Sequence, residues 1–194
     1  MIALCDTGLI NLKSLQRAFE HLGHMAVITA RTDEISCCDQ VVLCAAGSFK
    51  ECFDAMRKNR FDRALRAAAA AGKPVLGIGM GMQLLCSDSN EGGLFKGASL
   101  LPHSVQYSKA CPPADGFYST KTDPECALFR GLEQASFFYF QNAFVRDTAG
   151  ACAVAEHCGD FCAAAVNGSV SATAFYPHKS GETGIRVLAN FLEM

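Results

Sequence analysis

The segment with the clearest potential for chemistry is a glycine-rich turn between a predicted buried strand and a predicted helix. Its sequence is Gly77-Ile78-Gly79-Met80-Gly81-Met82-Gln83. In many α/β hydrolases a sharp turn of this kind holds a nucleophilic Ser or Cys at a helix N-terminus, near the partial positive charge of the helix. Glycines on either side allow the backbone to approach closely. The central residue here is Gly79, so the pattern predicts the geometry of a nucleophile site without a nucleophile.

Outside this turn, the chain is notable for its high number of cysteines. The chain has 11 cysteines, at positions 5, 37, 38, 44, 52, 86, 111, 126, 152, 158 and 162. No two of them form a Cys-x-x-Cys pair, and zinc sites usually contain closely spaced ligands, so no metal site is expected. Cys5, Cys44, Cys152 and Cys162 lie in apolar runs and are expected to pack as small hydrophobes. This cysteine usage favours a reducing, cytoplasmic compartment.

Isolated polar residues give weaker signals. Four histidines have no neighbours that suggest a site and are expected to be solvated: His21, His24, His103 and His157. Asp6 follows the first predicted strand, at the end of the strand where α/β sheets bind ligands. It could equally cap the helix that begins near Leu12 or brace the turn at Gly8.

The elements that position these residues alternate in the first half of the chain. Strands are predicted at Ile2–Cys5, Ala26–Thr29, Gln40–Cys44 and Val75–Ile78. Helices are predicted at Leu12–Leu22, Phe49–Arg57, Phe61–Ala71 and Gly79–Ser87, with Gly23 and Gly72 ending the first and third. This alternation implies a mostly parallel sheet with helices on both faces.

The second half has a different pattern, with short strands and tight turns. Strands are predicted at Phe137–Phe144, Ala151–Glu156, Phe161–Val166 and Val170–Phe175. Asn167-Gly168 is a hairpin signal between the last two. Glu182–Phe191 is predicted to be a closing amphipathic helix. The expected fold is therefore α/β, with an open, mixed, mostly parallel sheet to which antiparallel strands are added.

Bulk properties exclude several classes of protein. The 194 residues are 50% hydrophobic and 19% charged, which suits one globular domain over residues 1–194. The net charge is −2 and no basic block is present, so no nucleic-acid partner is expected. No apolar run approaches the ~20 residues of a membrane span. The first residues lack the charged and long apolar regions of a signal peptide.

The motifs together resemble those of one family, the class I glutamine amidotransferases. The segment GKPVLGIGMGMQLL is similar to the family's nucleophile turn, GKPVLGICLGMQLL. Other segments resemble the family's motifs along almost the whole chain: Asp6–Leu12, Glu91–Pro102, Leu128–Leu132, Phe138–Phe140 and Ala174–Gly181. Its opening and ending resemble most the glutaminase subunits of imidazole glycerol phosphate synthase, in histidine biosynthesis. The resemblance implies a three-layer, flavodoxin-like fold with a cleft beside Gly79, and no cofactor.

The resemblance also implies a catalytic triad, and the chain departs from it at all three positions. In the family a Cys thiolate attacks the glutamine carboxamide, a His transfers protons and a Glu orients that His. The matching positions hold Gly79, Tyr176 and His178. Glycine offers no nucleophile, and a phenol with a pKa near ~10 is a poor general base at neutral pH. His178 could hydrogen-bond to Tyr176, but that pair would have nothing to activate.

Positions that the resemblance assigns to the glutamine pocket are changed in part. The oxyanion loop becomes Cys44–Phe49 and keeps one glycine as Gly47. Gln83 matches a glutamine-binding residue, although a solvated or capping side chain is an equally good interpretation. A later pocket segment becomes Gln141–Phe144, and the segment near the partner interface becomes Gly116-Phe117-Tyr118.

Three further positions match the family's partner-facing surface. These are Asn11, Tyr139 and Lys179. For Tyr139 the alternative is ordinary strand packing, and for Lys179 it is an ordinary surface charge.

Three functional hypotheses follow. The leading one is a glutaminase-like subunit that cannot hydrolyse glutamine but still docks on a (β/α)₈ cyclase barrel. The second is a free-standing binding or regulatory protein whose pocket, lined by Gln83 and Tyr176, takes a glutamine-like small molecule. The third is a rebuilt enzyme in which His178 works with Cys44 or Cys86.

Overall fold

In the part of the chain that the structure describes, the fold is organised around a nine-stranded sheet. A computed structural model describes residues 1–108, 110–143 and 145–194. Within these ranges the strands are β1 Ile2–Cys5, β2 Ala26–Thr29, β3 Gln40–Ala45, β4 Val75–Gly79, β5 Asp88–Ser89, β6 Phe95–Lys96, β7 Ser104–Val105, β8 Ala114–Thr122, β9 Ala135–Ala143, β10 Ala151–Glu156, β11 Asp160–Asn167 and β12 Val170–Thr173. The helices are α1 Lys13–His21, α2 Thr32–Cys37, α3 Phe49–Lys58, α4 Phe61–Ala70, α5 Met80–Leu85 and α6 Gly181–Leu192, with 3₁₀ turns at Ala127–Phe129 and Pro177–Lys179.

The first part of the large sheet is parallel. Its strand order begins β2-β1-β3-β4-β12, and every neighbouring pair in that run is parallel. The β1, β4 and β12 residues are all buried, as continuous apolar strands covered on both faces should be. The carboxyl ends of β3, β4 and β12 therefore lie side by side, and this edge holds Ala45, Gly79 and the chain leading to Tyr176.

The second part of the sheet is antiparallel and continues β11-β10-β8-β9. Strand β9 is last in this order, yet it also contacts the chain beside the parallel strands. Phe140 forms a bridge with Phe175, and the Tyr176 N–H donates to the Tyr139 carbonyl at 2.8 Å. This contact brings the end of β9 beside the segment that follows β12.

The helices form two groups that cover the sheet in the three-layer manner expected of the fold. Helix α1 contacts α6, while α3 contacts both α4 and α5 and α2 contacts α4. Helix α3 begins with a capping box, in which Ser48 and Glu51 satisfy each other's backbone N–H groups. Gly23 ends α1 with a positive φ of 83°, as predicted. Among the described residues, no helix is both long and apolar enough to cross a membrane.

Most predicted elements agree with these bounds, and the differences have physical causes. Helix α5 ends at Leu85 rather than Ser87, because the N–H groups of Ala98, Leu100 and Leu101 bond to the carbonyls of its last turn. Residue 144, the predicted end of a strand, lies outside the described residues. Among the described residues, helix α2, strand β8, the three short strands β5, β6 and β7 and the two 3₁₀ turns were not predicted.

Candidate functional site

The glycine-rich turn has the geometry that the sequence predicted. Gly79 ends β4 with φ 61° and ψ −121°, a conformation that side chains rarely adopt, and α5 begins at the next residue. The flanking glycines are also required by packing. A Cβ on Gly77 would lie 2.7 Å from Leu85 Cδ1, and one on Gly81 would overlap the Leu43 carbonyl oxygen. The strained turn of a nucleophile site is therefore present around a residue without a side chain.

The space beside Gly79 is filled by the ring of Tyr176. A Cβ built on Gly79 would overlap Tyr176 at Cζ and Oη and would lie 2.7 Å from Cε2. Tyr176 is only 1% exposed, so the ring is enclosed on its other sides as well. Any side chain at position 79 therefore requires Tyr176 to move.

The Tyr176 hydroxyl is used as a hydrogen-bond donor inside the protein. It donates to the Ala45 carbonyl at 2.9 Å. Burial raises its pKa well above the ordinary phenol value, and the Met80 N–H acts in the opposite direction as a donor to the same oxygen. The phenol thus stays protonated at neutral pH and is not a general base. It also lies against the backbone N–H of the residue after position 79, the type of group that forms oxyanion holes.

The hydrogen bond that His178 could make to Tyr176 is not formed in the described structure. Their rings are 5.9 Å apart and nearly perpendicular, and the phenol donates to Ala45 instead. His178 Nδ1 is buried without a hydrogen-bond partner among the described residues. Burial, and secondarily the charge of Lys179, lowers the pKa of His178 from 6.5 to about 4. His178 is therefore a neutral, unoriented imidazole at pH 7.

Gly47 and Gln83, which the family resemblance assigns to the glutamine pocket, are tied together by Asn142, near the end of β9. Gln83 Nε2 donates to the Asn142 carbonyl at 2.7 Å, and Asn142 Nδ2 donates to the Gly47 carbonyl at 3.2 Å. Gln83 is 1% exposed, so it is neither solvated nor a helix cap, and its Oε1 has no partner among the described residues. The sequence pointed to Asn142 only as part of a pocket segment and gave it no individual role. The signal available in the sequence was its residue type, because Asn is enriched at positive φ, and its φ here is 57°.

Tyr139 and Lys179 lie together on the surface. Lys179 Nζ is 5.5 Å from the centre of the Tyr139 ring and 4.8 Å from that of Tyr176, distances typical of cation–π contacts. On the same face of β8 and β9, Phe117 stands opposite Tyr139 with ring centres 5.4 Å apart. Phe117 and Phe137 are about 60% exposed. We call Phe117, Phe137 and Tyr139 the aromatic patch.

Asn11 and Asp6 serve the turns around them. The Asn11 side chain is exposed and accepts from the Lys13 N–H at 2.9 Å, so it satisfies a donor in the first turn of α1. Asp6 accepts from the Gly8 N–H at 2.9 Å. Of the alternatives for Asp6, the brace for the Gly8 turn is the one observed.

The cysteines near the turn are inert. Cys44 and Cys52 are buried, and burial raises the pKa of each thiol to about 12. Cys86 is also buried, with its pKa raised by the same cause, and it donates to the Met82 carbonyl. No hydrogen bond joins His178 to a cysteine among the described residues, so neither proposed Cys/His pair is assembled here.

Two histidines differ from the expectation of solvation. His103 is buried, and both of its ring nitrogens lack partners among the described residues. His157 lies with Cys111 and Cys158, and their ligating atoms are within 4.8 Å of one another. The adjacency of His157 and Cys158 was visible in the sequence. Their proximity to Cys111, far away along the chain, was not.

The chain is similar over its full length to curated proteins of one kind. It is 35% identical over 200 residues to the imidazole glycerol phosphate synthase subunit HisH of Chlorobium luteolum, covering 100% of both chains. It is 36% identical over 201 residues to the protein of the same name from Methanosarcina mazei, covering 100% of this chain and 98% of that one. No family model matches the chain.

Solved structures agree on the fold. The chain superposes on a glutamine amidotransferase with a TM-score of 0.74 at 15% identity, covering 99% of this chain and 97% of that one. It superposes on the glutaminase domain of Trypanosoma brucei CTPS with a TM-score of 0.66 at 15% identity, covering 99% and 93%. The α/β fold predicted from the sequence, a large mixed sheet of the class I glutamine amidotransferase type, is confirmed.

Proposed function

Because this chain belongs to the family of imidazole glycerol phosphate synthase HisH subunits, we propose that it is a member that does not hydrolyse glutamine. In this proposal the whole chain, as one domain, docks on a (β/α)₈ cyclase barrel in the cytoplasm. It stabilises or gates that barrel while free ammonia supplies the nitrogen.

The observation that carries the proposal is the position of the Tyr176 ring. It fills the volume that a side chain at residue 79 would need, and its phenol is buried and bonded to Ala45. Hydrolysis by the family's route needs a nucleophile at the turn, a base beside it and an oxyanion site free for the substrate. Gly79 provides no nucleophile. His178 is neutral but has no nucleophile to activate, and the Tyr176 ring occupies the space that the oxyanion site would need.

Docking is supported by the surface next to this filled site. The aromatic patch exposes two phenylalanine side chains beside a lysine held over two tyrosine rings. Apolar rings rimmed by polar groups favour a protein interface. Tyr139 and Lys179 lie here, as two of the three partner-facing positions that the family resemblance assigns.

The test measures glutamate and ammonia release from glutamine, with and without the cyclase of the same organism and its nucleotide substrate. The partnered reaction is the fair one, because a subunit can be silent until its partner engages it. We expect no release in either reaction, and we expect a complex that changes ammonia-dependent turnover of the cyclase. Release above a blank would show that another residue performs the chemistry. Neither complex nor change in turnover would remove the docking role.

The other two hypotheses gain less support. A glutamine-like ligand between Gln83 and Tyr176 would have to displace side chains that are each 1% exposed and hydrogen-bonded within the protein. A rebuilt Cys/His enzyme would have to use thiols whose pKa is raised by burial. Labelling of one cysteine by an electrophilic glutamine analogue would reverse that judgement.

A further inference from the structure

A second cluster of reactive side chains lies outside the glycine-rich turn. His157 and Cys158 follow β10 in its turn to β11, and Cys111 lies in the segment before β8, where it forms a bridge with Ser108. One ring nitrogen and two sulfur atoms lie within 4.8 Å of one another. Cys111 and His157 are half-buried and Cys158 is exposed.

The His157 ring is held by one nitrogen and leaves the other unused. Nδ1 lies 3.3 Å from the Tyr118 hydroxyl, and the two rings are perpendicular with centres 5.3 Å apart. Nε2 is buried with no hydrogen-bond partner among the described residues. When Nδ1–H donates to the Tyr118 oxygen, the lone pair is on Nε2. Metal-binding histidines characteristically have this arrangement, with the second nitrogen fixed by an outer hydrogen bond.

Arg146 holds the sulfur side of the cluster. Its Nη2 donates to Cys111 Sγ at 2.6 Å, and its Nη1 donates to the carbonyls of His157 and Gly159 at 2.6 and 3.3 Å. One guanidinium therefore ties the turn to Cys111.

We propose that Cys111, His157 and Cys158 form a binding site for a thiophilic divalent cation of the zinc class. Two thiolates and an imidazole are a donor set that Zn²⁺ prefers, and three protein ligands leave a fourth position for water. The exposed Cys158 gives solvent access to that position. Binding releases the two thiol protons, and the two thiolate charges then balance the dication.

The same geometry could instead serve a disulfide between Cys111 and Cys158. The metal site is favoured because it gives His157 Nε2 the partner that it lacks. A disulfide would leave that buried nitrogen unpaired, which is unfavourable. The sequence expectation of no metal site rested on spacing, whereas the ligands come from two segments that only the fold brings together.

The test is a Co²⁺ titration of the full chain, purified reduced and without chelator. Thiolate-to-cobalt charge-transfer and ligand-field absorption report on the ligands, and Zn²⁺ should displace the cobalt. We expect one equivalent to bind. We expect Cys111→Ser and Cys158→Ser to lose the thiolate bands, and Tyr118→Phe to weaken binding by about 10–100-fold.

The matched control is Cys37→Ser, which removes another exposed cysteine, located in α2 near the opposite edge of the sheet. It should titrate like the unsubstituted chain. Circular dichroism of each variant verifies that the fold is kept. Unchanged bands in Cys111→Ser, or no tetrahedral cobalt spectrum in the unsubstituted reduced chain, would overturn the site. A Cys111–Cys158 disulfide that persists in reductant would overturn it as well.

Discussion

Gly79 and Tyr176 are complementary in size, so the two departures from the family's motif have to be considered together. By the resemblance seen in the sequence, a residue without a side chain stands where the family has cysteine, and a larger ring stands where it has histidine. The ring uses the volume that the missing side chain leaves, since a Cβ on Gly79 would overlap it. Restoring only one of the two family residues should therefore be worse than leaving both changed.

This coupling is measurable as a double-mutant cycle. Gly79→Ala should destabilise the protein by more than about 2 kcal/mol, because the new Cβ meets Tyr176 and the positive φ is strained. In a Tyr176→His background, where the ring is shorter, the same substitution should cost less by roughly 1–3 kcal/mol. Urea unfolding of the four proteins gives the coupling free energy.

Tyr176→Phe is the matched control for that cycle. It removes the hydroxyl but keeps Cζ, so the clash with a Cβ at 79 should remain largely intact. Equal costs of Gly79→Ala in all three backgrounds would mean that backbone strain alone excludes a side chain there. The Tyr176 ring would then not be what blocks the turn.

His178 should make the stability of the fold depend on pH. Burial lowers its pKa from 6.5 to about 4 in the folded protein. Between these values the unfolded chain binds the proton and the folded chain does not. Stability is therefore fully present above about pH 6.5 and falls as the pH drops towards 4. The contribution is on the order of 1–3 kcal/mol.

Replacement by an uncharged side chain isolates this contribution. His178→Gln should have a flatter profile of unfolding free energy against pH between 4 and 6.5, while a His21→Gln control on the exposed surface of α1 should not change it. Direct titration of the His178 ring by NMR measures the same quantity. A folded-state pKa near 6.5 would contradict the prediction.

At the scale of elements, the end of β9 contacts both residues that the family resemblance assigns to the glutamine pocket, Gly47 and Gln83. Asn142 joins the Gly47 loop to Gln83 on α5, and it does so at a positive φ. Asn142→Gly loses one side-chain hydrogen bond but keeps the conformation, so it should cost about 1 kcal/mol. Asn142→Ala should cost roughly 1–2 kcal/mol more, because alanine is strained at that φ. Equal unfolding free energies for the two variants would show that β9 is not held in this conformation.

The sequence predicted the parallel elements better than β8, and the reason lies in burial. Strands such as β4 are apolar throughout because both faces are covered, so they are visible as runs. In β8 the exposed positions include Phe117, while the buried ones include Thr120 and Thr122, which weakens the alternation. A hydrophobicity pattern cannot identify a strand whose buried face is polar.

The candidate site could be predicted only where its geometry depends on local sequence. The backbone of the turn at Gly79 follows from local glycine spacing, and its geometry was foreseen. The hydrogen-bond partner of the Tyr176 hydroxyl, by contrast, could not be predicted from local sequence. The hydroxyl bonds to Ala45 at the end of β3, and this depends on the packing of the whole sheet edge. The Cys111 cluster was hidden for the same reason, since contacts distant along the chain leave no periodic signal.

At the scale of the whole molecule, the aromatic patch is an unusual surface for a chain that works alone. It lies on β8 and β9, and β9 is the last strand in the sheet order. Exposed apolar side chains on such a strand invite association unless a partner covers them. We therefore expect Phe117→Ser and Phe137→Ser each to weaken binding of the cyclase by at least about 10-fold, measured by calorimetry.

Met25→Ser is the control for the patch, because it removes an equally exposed apolar side chain beside β2, at the other end of the sheet. It should leave the affinity unchanged, and all three variants should unfold at nearly the same denaturant concentration, since exposed substitutions seldom change stability by more than about 0.5 kcal/mol. Unchanged cyclase binding by both phenylalanine variants would exclude the patch from the interface. If Phe137→Ser instead dissolved a dimer of this chain, the patch would pair two copies of the protein, and the cyclase would have to bind elsewhere.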